Sequence, residues 1–302
     1  MRIAYLIATY CDPEHLKRLV NALDDHADFF IHIDAKIDFA PFASLEENPR
    51  VHFLKKRHVV FWGDITQVYY QRDLLRACLE SGIAFDRICI LSGLDYPLMS
   101  NQQLRDFFVA HSDREFIQGI DLSVQRPEVT RNYRIYRPQF FCSLLGNRCN
   151  LRIRILLRKL LYALGVRKPL TFRWGERICP VFKGSDWWGI TPQLGRYLLQ
   201  QLDTYPEILR YFSTTFVPSE LLWQSLVFNS PFAKKAMLFE GSYVSLASLT
   251  PLHYIYYDPI IKVLTEEDLP TLMACGKPFC RKTCTGTSDA LMDLLDQKRI
   301  EK

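Results

Sequence analysis

RIAYLIATYCDPEHLKRLVNAL, residues 2–23, places a short apolar run directly before a helix signal. The apolar run, residues 2–8, has no helical spacing, which predicts a buried strand. Asp12 occupies the position of a helix N-cap, and Pro13 fits the first helical position. The apolar residues that follow share one helix face: Leu16, Leu19, Val20 and Leu23. The chain therefore opens with a strand, a loop and an amphipathic helix.

The same alternation continues along the first third of the chain. Three further apolar runs predict strands: FFIHI (29–33), VHFL (51–54) and RICILS (87–92). Asp64 and Ser100 stand before helical patterns, the first of which reaches about residue 81. Later helices are predicted to start at Thr191–Pro192 and near Pro218. This alternation predicts an α/β fold with a mixed, mostly parallel sheet flanked by helices.

Three predicted strands run into polar segments at their carboxyl ends. These segments are ATYCD, HIDAK and LSGLDYPL. Mostly parallel sheets bind their ligands beyond this edge. We therefore expect the functional site where these three segments meet.

Motifs of several common α/β enzyme classes are absent from the sequence. No GxGxxG follows the first strand, and no GxxxxGK[ST] marks a P-loop, so dinucleotide-binding and P-loop enzymes are disfavoured. GxSxG is absent as well, which disfavours an α/β-hydrolase. The sequence also lacks Asp-x-Asp, which holds a divalent metal in many sugar-nucleotide transferases. A transferase of that kind without a metal would need fixed protein cations to stabilise the diphosphate that leaves the sugar. The adjacent Arg281 and Lys282 are candidates.

The nine cysteines are scattered and form no CxxC pair. This pattern, together with a strand in place of a signal peptide at the start, predicts a reducing, cytoplasmic setting. Cys275, Cys280 and Cys284 lack a companion cluster, so no zinc site is expected. No apolar run reaches the roughly 18 residues of a membrane span.

Residues 148–173 form a basic and strongly apolar segment. They contain eight basic residues and no acidic one, within a net charge of +5 for the chain. This composition suits the interface of an anionic bilayer. A core helix with a solvated basic face, or a loop that contacts a polyanionic substrate, would show the same composition. Nucleic acid is not expected as a partner, because no nucleic-acid fold motif accompanies the segment.

Seven segments along the chain follow the motif order of a known family. They are AYLIATYCDPEHLKRLVNAL, FFIHIDAK, HVVFWGDITQV, RICILSGLDYPLMSNQQL, GSDWWGIT, FVPSELLWQSLV and KPFCRK. Together they resemble the Branch family, which contains core-2 N-acetylglucosaminyltransferases and peptide O-xylosyltransferases. The fourth segment is the most specific, since it is close to the family's LSGxDxPL pattern. The resemblance implies a GT-A-like, Rossmann-type fold, inversion at the anomeric carbon, and neither a metal nor another cofactor.

The resemblance also implies residue roles. Glu220, which matches the motif's glutamate, becomes the catalytic base, and Lys282 with Arg281 becomes the diphosphate clamp. Two residues depart from the family's pattern: Ser219 stands where Asp is usual, and His253 stands where an Arg is usual. A protonated His253 would still bind phosphate, but more weakly than Arg and in a pH-dependent way.

Further positions in the matched segments are candidates for nucleotide and sugar contacts. The nucleotide candidates are Ala8, Thr9, Asp34, Trp62 and Gly63. The sugar candidates are Asp95, Trp187 and Trp188. Tryptophan faces stack on sugars or bases, although large aromatic side chains more often fill the core. Asp95 could instead form a turn, and Asp34 could instead pair with Lys36.

These observations predict a single GT-A-like catalytic domain over residues 1–302. Its nucleotide-binding half would cover about residues 1–120, and its acceptor and catalytic half about residues 180–285. An irregular basic segment, about residues 145–175, would lie between them.

The expected reaction moves a sugar, first of all N-acetylglucosamine from UDP-GlcNAc, to a hydroxyl of a glycan or lipid-linked glycan acceptor. UDP-xylose or another UDP-sugar is an alternative donor. A catalytically silent carbohydrate-binding relative is an alternative of a different class. Because no signal anchor is seen, we expect a bacterial enzyme of surface polysaccharide synthesis, cytoplasmic or peripheral on the inner face of the cell membrane.

Overall fold

The computed structural model describes residues 1–139, 147–241, 243, 245–258 and 260–300, without the side chains of residues 147 and 148. The strands are β1 (Ile3–Thr9), β2 (Ala27–Ile33), β3 (Val51–Phe53), β4 (Arg87–Ser92), β5 (Asp95–Pro97), β6 (Gln118–Asp121), β7 (Thr171–Trp174), β8 (Arg177–Pro180), β9 (Phe182–Gly184), β10 (Gly189–Ile190), β11 (Met237–Leu238), β12 (His253–Ile255) and β13 (Phe279–Arg281). The α-helices are α1 (Pro13–Leu23), α2 (Thr66–Glu80), α3 (Asn101–Ala110), α4 (Pro127–Thr130), α5 (Asn147–Ala163), α6 (Pro192–Thr204), α7 (Pro206–Phe212), α8 (Leu222–Phe228), α9 (Leu269–Ala274) and α10 (Asp289–Ile300).

The central sheet has the strand order β10–β4–β1–β2–β3. Strand β1 pairs in parallel with both β2 and β4, and β2 pairs in parallel with β3. Strand β10 pairs with β4 in the antiparallel direction. The predicted mixed, mostly parallel α/β sheet is therefore confirmed.

Alternate residues of β1 point to opposite faces of this sheet. On one face, Leu6 packs in a buried cluster with Val68 and Leu74 of α2. On the other face, Ile7 packs in a second cluster with Leu16 of α1. Because helices cover both faces, the strand can be apolar along its whole length.

Three predicted helix caps are present in the structure. Asp12 Oδ1 accepts a hydrogen bond from the backbone N of His15 at 3.0 Å, directly before α1. Ser100 forms a capping box at the start of α3. The side chain of Thr191 caps α6. These side chains satisfy backbone N–H groups that the first helical turn leaves without partners.

Two helices begin later than predicted. Helix α2 begins at Thr66, and Asp64 Oδ1 accepts a hydrogen bond from the backbone N of Thr66 at 3.1 Å. Pro218 opens a 3₁₀ helix, Pro218–Glu220, and α8 begins only at Leu222. The cause of the second shift is Val217, whose left-handed backbone (φ 47°) turns the chain directly before Pro218.

A second sheet, β12–β13–β5, extends from the carboxyl edge of the central sheet. Strand β5 begins three residues after the end of β4. Strand β13 is antiparallel to β5, which places Arg281 opposite Asp95. Strand β12 is parallel to β13, which places His253 opposite Phe279. Two segments far apart in the sequence, LSGLDYPL and KPFCRK, are joined in this way.

The basic segment differs from the irregular region that was predicted. Its described part contains α5 and strand β7, which pairs with β8 as a hairpin. Residues 145 and 146 and the side chain of Arg148 lie outside the described residues. No helix among the described residues combines the length and the apolar content needed to cross a bilayer.

Candidate active site

A pocket of about 610 Å³ opens at the carboxyl ends of the central strands. Ala8 and Thr9 at the end of β1, Asp34 after β2 and Ser92 at the end of β4 all line it. Its volume lies within the range of small-molecule and cofactor sites. This is the edge of the sheet where the sequence predicted the site.

Gly93, in the LSGLDYPL segment, allows the ends of β4 and β1 to approach closely. A Cβ atom on Gly93 would lie 2.4 Å from Thr9 Oγ1, which no side chain can tolerate. The backbone N of Gly93 donates to Ala8 O at 3.0 Å, and the backbone N of Asp34 donates to Thr9 O at 3.0 Å. The three strand ends are thus tied into one wall of the pocket.

Most of the predicted site residues meet in this pocket. Those that line it are Ala8, Thr9, Asp34, Trp62, Trp187, Glu220 and Arg281. Those that lie outside its lining are Gly63, Asp95, Trp188, His253 and Lys282. The fold therefore joins the predicted base, one predicted diphosphate cation and most of the nucleotide candidates.

Arg281 is held from behind by Asp95. Arg281 Nη1 donates to Asp95 Oδ1 at 2.7 Å, and Asp95 Oδ2 lies 3.1 Å from Nε2 of His253. Burial raises the pKa of Asp95, but Arg281 and His253 outweigh it and hold the pKa below its usual value. Asp95 is thus a buried anion that orients Arg281, and the structure does not bring it to the pocket as a sugar contact.

His253 is also fully buried, in contact with Asp95. Burial lowers the pKa of its imidazole, and the attraction of Asp95 only partly opposes that effect. The ring of His253 stacks on Phe279 at 5.3 Å between centroids. The structure therefore places His253 behind Arg281, without access to a bound diphosphate.

Lys282 follows Arg281 but lies beside the pocket. Its carbonyl accepts a hydrogen bond from the backbone N of Leu264 at 2.8 Å. Burial raises the pKa of the Cys11 thiol, and the charges of Lys282 and Arg281 act against that rise. Lys282 is therefore close to the loop after β1, where it adds positive charge to the pocket's surroundings.

Glu220 enters the pocket from the 3₁₀ helix and forms an ion pair with Lys183 of β9. The distance from Lys183 Nζ to Glu220 Oε2 is 2.8 Å, and the lysine side chain is only 3% exposed. Burial acts to lower the pKa of Lys183, but Glu220 and neighbouring tyrosines raise it above its usual value. Lys183 therefore stays charged and orients the Glu220 carboxylate. Sequence reasoning missed this lysine.

Asp186 is a second carboxyl group in the pocket lining, and sequence reasoning missed it as well. Gln71 Nε2 donates to Asp186 Oδ1 at 3.2 Å. Burial raises the pKa of Asp186 to about 6, and the charge of Glu220 adds to the rise. A carboxyl group with such a pKa can exchange protons near neutral pH. The sequence did contain a signal for Asp186, because this acidic residue stands directly before two tryptophans.

Asp34 combines the two interpretations that the sequence left open. It lines the pocket, and its Oδ1 accepts a hydrogen bond from the backbone N of Lys36 at 2.9 Å. Lys36 Nζ lies 3.3 Å from Asp34 Oδ2 and also lines the pocket. Gly63 supports the same wall from outside: its φ of +70° suits glycine, and its N donates to Gln67 Oε1 at 2.7 Å.

The three candidate tryptophans have different positions. Trp187 lines the pocket, with its ring 5.0 Å from the guanidinium carbon of Arg281. Trp62 is 79% exposed at the pocket and packs edge-on against Phe216. Trp188 is fully buried against Trp223 in the core. Only the first two of these tryptophans offer a face to a ligand.

Within the part of the chain that the structure describes, no three His, Cys, Asp or Glu side chains cluster as metal ligands would. The cationic groups in the pocket lining are Lys36, Lys183 and Arg281, and His32 lies in the same lining. Burial and neighbouring cations lower the pKa of His32 to about 4, so its imidazole is neutral at physiological pH.

Two solved structures show how the chain compares at low similarity. TarS 1–349 of S. aureus in complex with UDP is 12% identical with a TM-score of 0.37, and the match covers 99% of this chain and 71% of that chain. The WbbM bifunctional glycosyltransferase is 8% identical with a TM-score of 0.39, and the match covers 99% of this chain and 52% of that chain.

Curated proteins and a family model give the stronger likeness. Xylosyltransferase 2 of Homo sapiens is 28% identical over 243 residues, which cover 76% of this chain and 25% of that protein. Xylosyltransferase 2 of Canis lupus familiaris is 26% identical over 242 residues, with the same coverage. The chain thus spans about a quarter of the length of these relatives. The family model named Branch, described as Core-2/I-Branching enzyme, matches residues 3–270. Because this match covers most of the sequence, the chain belongs to the Branch family.

Proposed function

We propose that the chain is an inverting glycosyltransferase that moves a sugar from a UDP-sugar to a hydroxyl group of a glycan. One observation carries the proposal: a carboxylate, Glu220, and a cation, Arg281, line the same pocket at the carboxyl edge of the sheet. Family membership and the xylosyltransferase names of the relatives support it.

Glu220 is the base in this proposal. An alcohol attacks the anomeric carbon efficiently only if its proton leaves as the new bond forms, so a carboxylate must lie within hydrogen-bond reach. Lys183 fixes one oxygen of Glu220 at 2.8 Å. Asp186 lies in the same lining, and its pKa of about 6 makes it a second group that can take up the proton.

Arg281 stabilises the departing UDP in this proposal. The guanidinium is fixed by Asp95 and lies over Trp187, and its Nε has no hydrogen-bond partner among the described residues. A cation that is already in place stabilises the developing diphosphate charge without moving during the reaction. Lys36 adds a second positive charge to the lining. These cations support a transfer that needs no metal ion.

UDP-GlcNAc is the donor that we propose, and UDP-xylose is the second candidate. The names of the curated relatives favour the second. UDP release should be measured with both donors, each with and without EDTA, in the presence of a glycan acceptor mixture. We expect UDP release with one donor, undiminished by EDTA and nearly abolished by Glu220→Gln. UDP binding without release from any donor would instead indicate a silent carbohydrate-binding relative.

A further inference from the structure

Helix α5 presents apolar side chains to solvent along its outer face. Leu156 is 65% exposed, and Leu160, one turn further along the same face, is 52% exposed. Leu164, directly after the helix, continues the exposed row. A surface helix of a soluble domain ordinarily turns polar residues outward, so this face has an unusual composition.

The inner face of α5 is apolar as well. Ile153, Leu157 and Leu161 follow the 3.6-residue spacing on that side and are half-buried. One apolar face of α5 therefore packs toward the fold, and a second apolar face remains exposed to solvent.

Basic residues surround the outer leucines. Arg152 and Lys159 are exposed on the same side of α5 as Leu156. Between Glu128 and Glu176 the sequence contains eleven basic residues and no acidic one. Leucines flanked by cations match the acyl region and the anionic headgroups of a bilayer surface. A second copy of the same helix would bring like charges together, which opposes self-association.

Helix α5 is tied to the edge of the pocket. Arg154 Nη2 donates to Asp64 Oδ2 at 2.6 Å, and Asp64 is almost buried. Asp64 is two residues after Trp62, which lines the pocket and is largely exposed. Phe61, next to Trp62, is also exposed. A surface that holds α5 would therefore lie close to the pocket's opening.

We propose that α5 lies in the interface of an anionic bilayer and holds the pocket next to it, so that the acceptor is a glycan carried on a membrane lipid. The part that concerns the acceptor rests on the proposed function. The part that concerns the bilayer stands on the exposed leucines, the surrounding cations and the Arg154–Asp64 ion pair.

Flotation of the full chain with vesicles tests the bilayer. Vesicles of phosphatidylglycerol with phosphatidylcholine should carry the protein to the top of the gradient, and vesicles of phosphatidylcholine alone should carry much less. Arg152→Gln with Lys159→Gln should weaken partitioning by about thirtyfold, from the usual contribution of basic residues near an anionic surface. Leu156→Ser with Leu160→Ser should weaken it by more than about tenfold.

Matched controls come from exposed residues elsewhere on the chain. Lys17→Gln with Lys234→Gln removes the same charge, and Ile178→Ser removes an exposed apolar side chain. Both should float like the parent. UDP-induced thermal stabilisation, measured without vesicles, shows that every variant is folded and reports the donor site separately.

Three results would overturn the proposal. The parent could fail to float with anionic vesicles while it still binds UDP. The control variants could lose as much flotation as the α5 variants. The parent could sediment as a dimer that Leu156→Ser with Leu160→Ser dissociates, in which case a second copy covers α5.

Discussion

Arg281 and Asp95 form a hydrogen-bonded ion pair at 2.7 Å although 186 residues separate them in the sequence. Their strands, β13 and β5, pair in an antiparallel register that sets the two residues opposite each other. Asp95 therefore fixes the one cation that reaches the pocket from the closing KPFCRK segment. The guanidinium fork, and not only its charge, matters in this arrangement, because one arm is occupied by Asp95.

We expect Arg281→Lys to weaken UDP binding by about tenfold, since an ammonium group cannot pair with Asp95 and a diphosphate in the same fixed geometry. Isothermal titration with UDP measures the effect. Lys282→Ala is the matched control, because Lys282 does not line the pocket, and it should change the affinity by less than about threefold. An equal loss in both variants would show that the diphosphate is bound by both cations.

Glu220→Gln should lower kcat by roughly 100-fold or more, because the amide cannot take the acceptor's proton. UDP affinity should stay within about twofold of the parent, since the substitution keeps the size of the side chain. Initial rates of UDP release and titration with UDP check the two statements. Glu176→Gln, an exposed glutamate, is the control and should leave both values unchanged. A Glu220→Gln enzyme with the parent's kcat would remove Glu220 from the mechanism.

We expect the transfer rate to fall as the pH drops below about 6, where Asp186 becomes protonated. Asp186→Asn should lower the rate and remove this inflection from the pH profile of kcat. A profile that keeps its inflection in the variant would assign the titration to another group.

The free energy of unfolding should also depend on Asp186. It should fall as the pH rises, whereas the transfer rate should rise. The folded state raises the pKa of Asp186 from 3.8 to about 6, so its contribution to stability is full at low pH and is lost as the pH rises through about 6. The amide of Asp186→Asn does not titrate, so the variant does not lose stability for this reason. Urea unfolding at pH 5 and pH 8 should therefore show a smaller decrease for the variant than for the parent.

Gly184→Ala should destabilise the fold by about 1–3 kcal/mol and reduce activity, because the added methyl has no space. A Cβ atom there would lie 2.0 Å from Gln118 O and 2.7 Å from the side chain of Gln224. Gly184 follows Lys183, so relief of the clash moves the partner of Glu220. Gly82→Ala is the control: its φ of +77° also makes alanine destabilising, but the added methyl meets no atom within 4 Å, and the variant should leave UDP binding intact. Thermal unfolding and UDP titration test both variants.

Local chemistry explains which elements the sequence predicted correctly. Asp12, Ser100 and Thr191 cap helices through bonds to residues three positions away, and β1 has a continuous apolar run. These signals act over a few residues and need no knowledge of the tertiary fold. Such local signals fail at Pro218. The left-handed backbone of Val217 directly before it leads into a 3₁₀ turn in place of the predicted α-helical turn.

Most of the pocket was predictable only through the family pattern. Strands β5 and β13 have three residues each, too few to show any periodicity. The contact between Lys183 and Glu220 spans 37 residues and follows from how β9 packs against the 3₁₀ helix. Helix α5 was predicted only as an alternative to an irregular segment, because leucines and isoleucines occur on all sides of it, which hides the 3.6-residue spacing.

Four residues, 185–188, connect β9 to β10. Strand β9 pairs with β6 in one sheet and β10 pairs with β4 in another, so this short connection is anchored at both ends to different sheets. Asp186 and Trp187 lie on it. With so little slack, we expect this connection to keep its position when a molecule enters, and we expect the exposed Trp62 to be a part of the lining that moves. For the proposed transfer, we therefore expect product release to depend on Trp62 and not on the segment that carries Asp186.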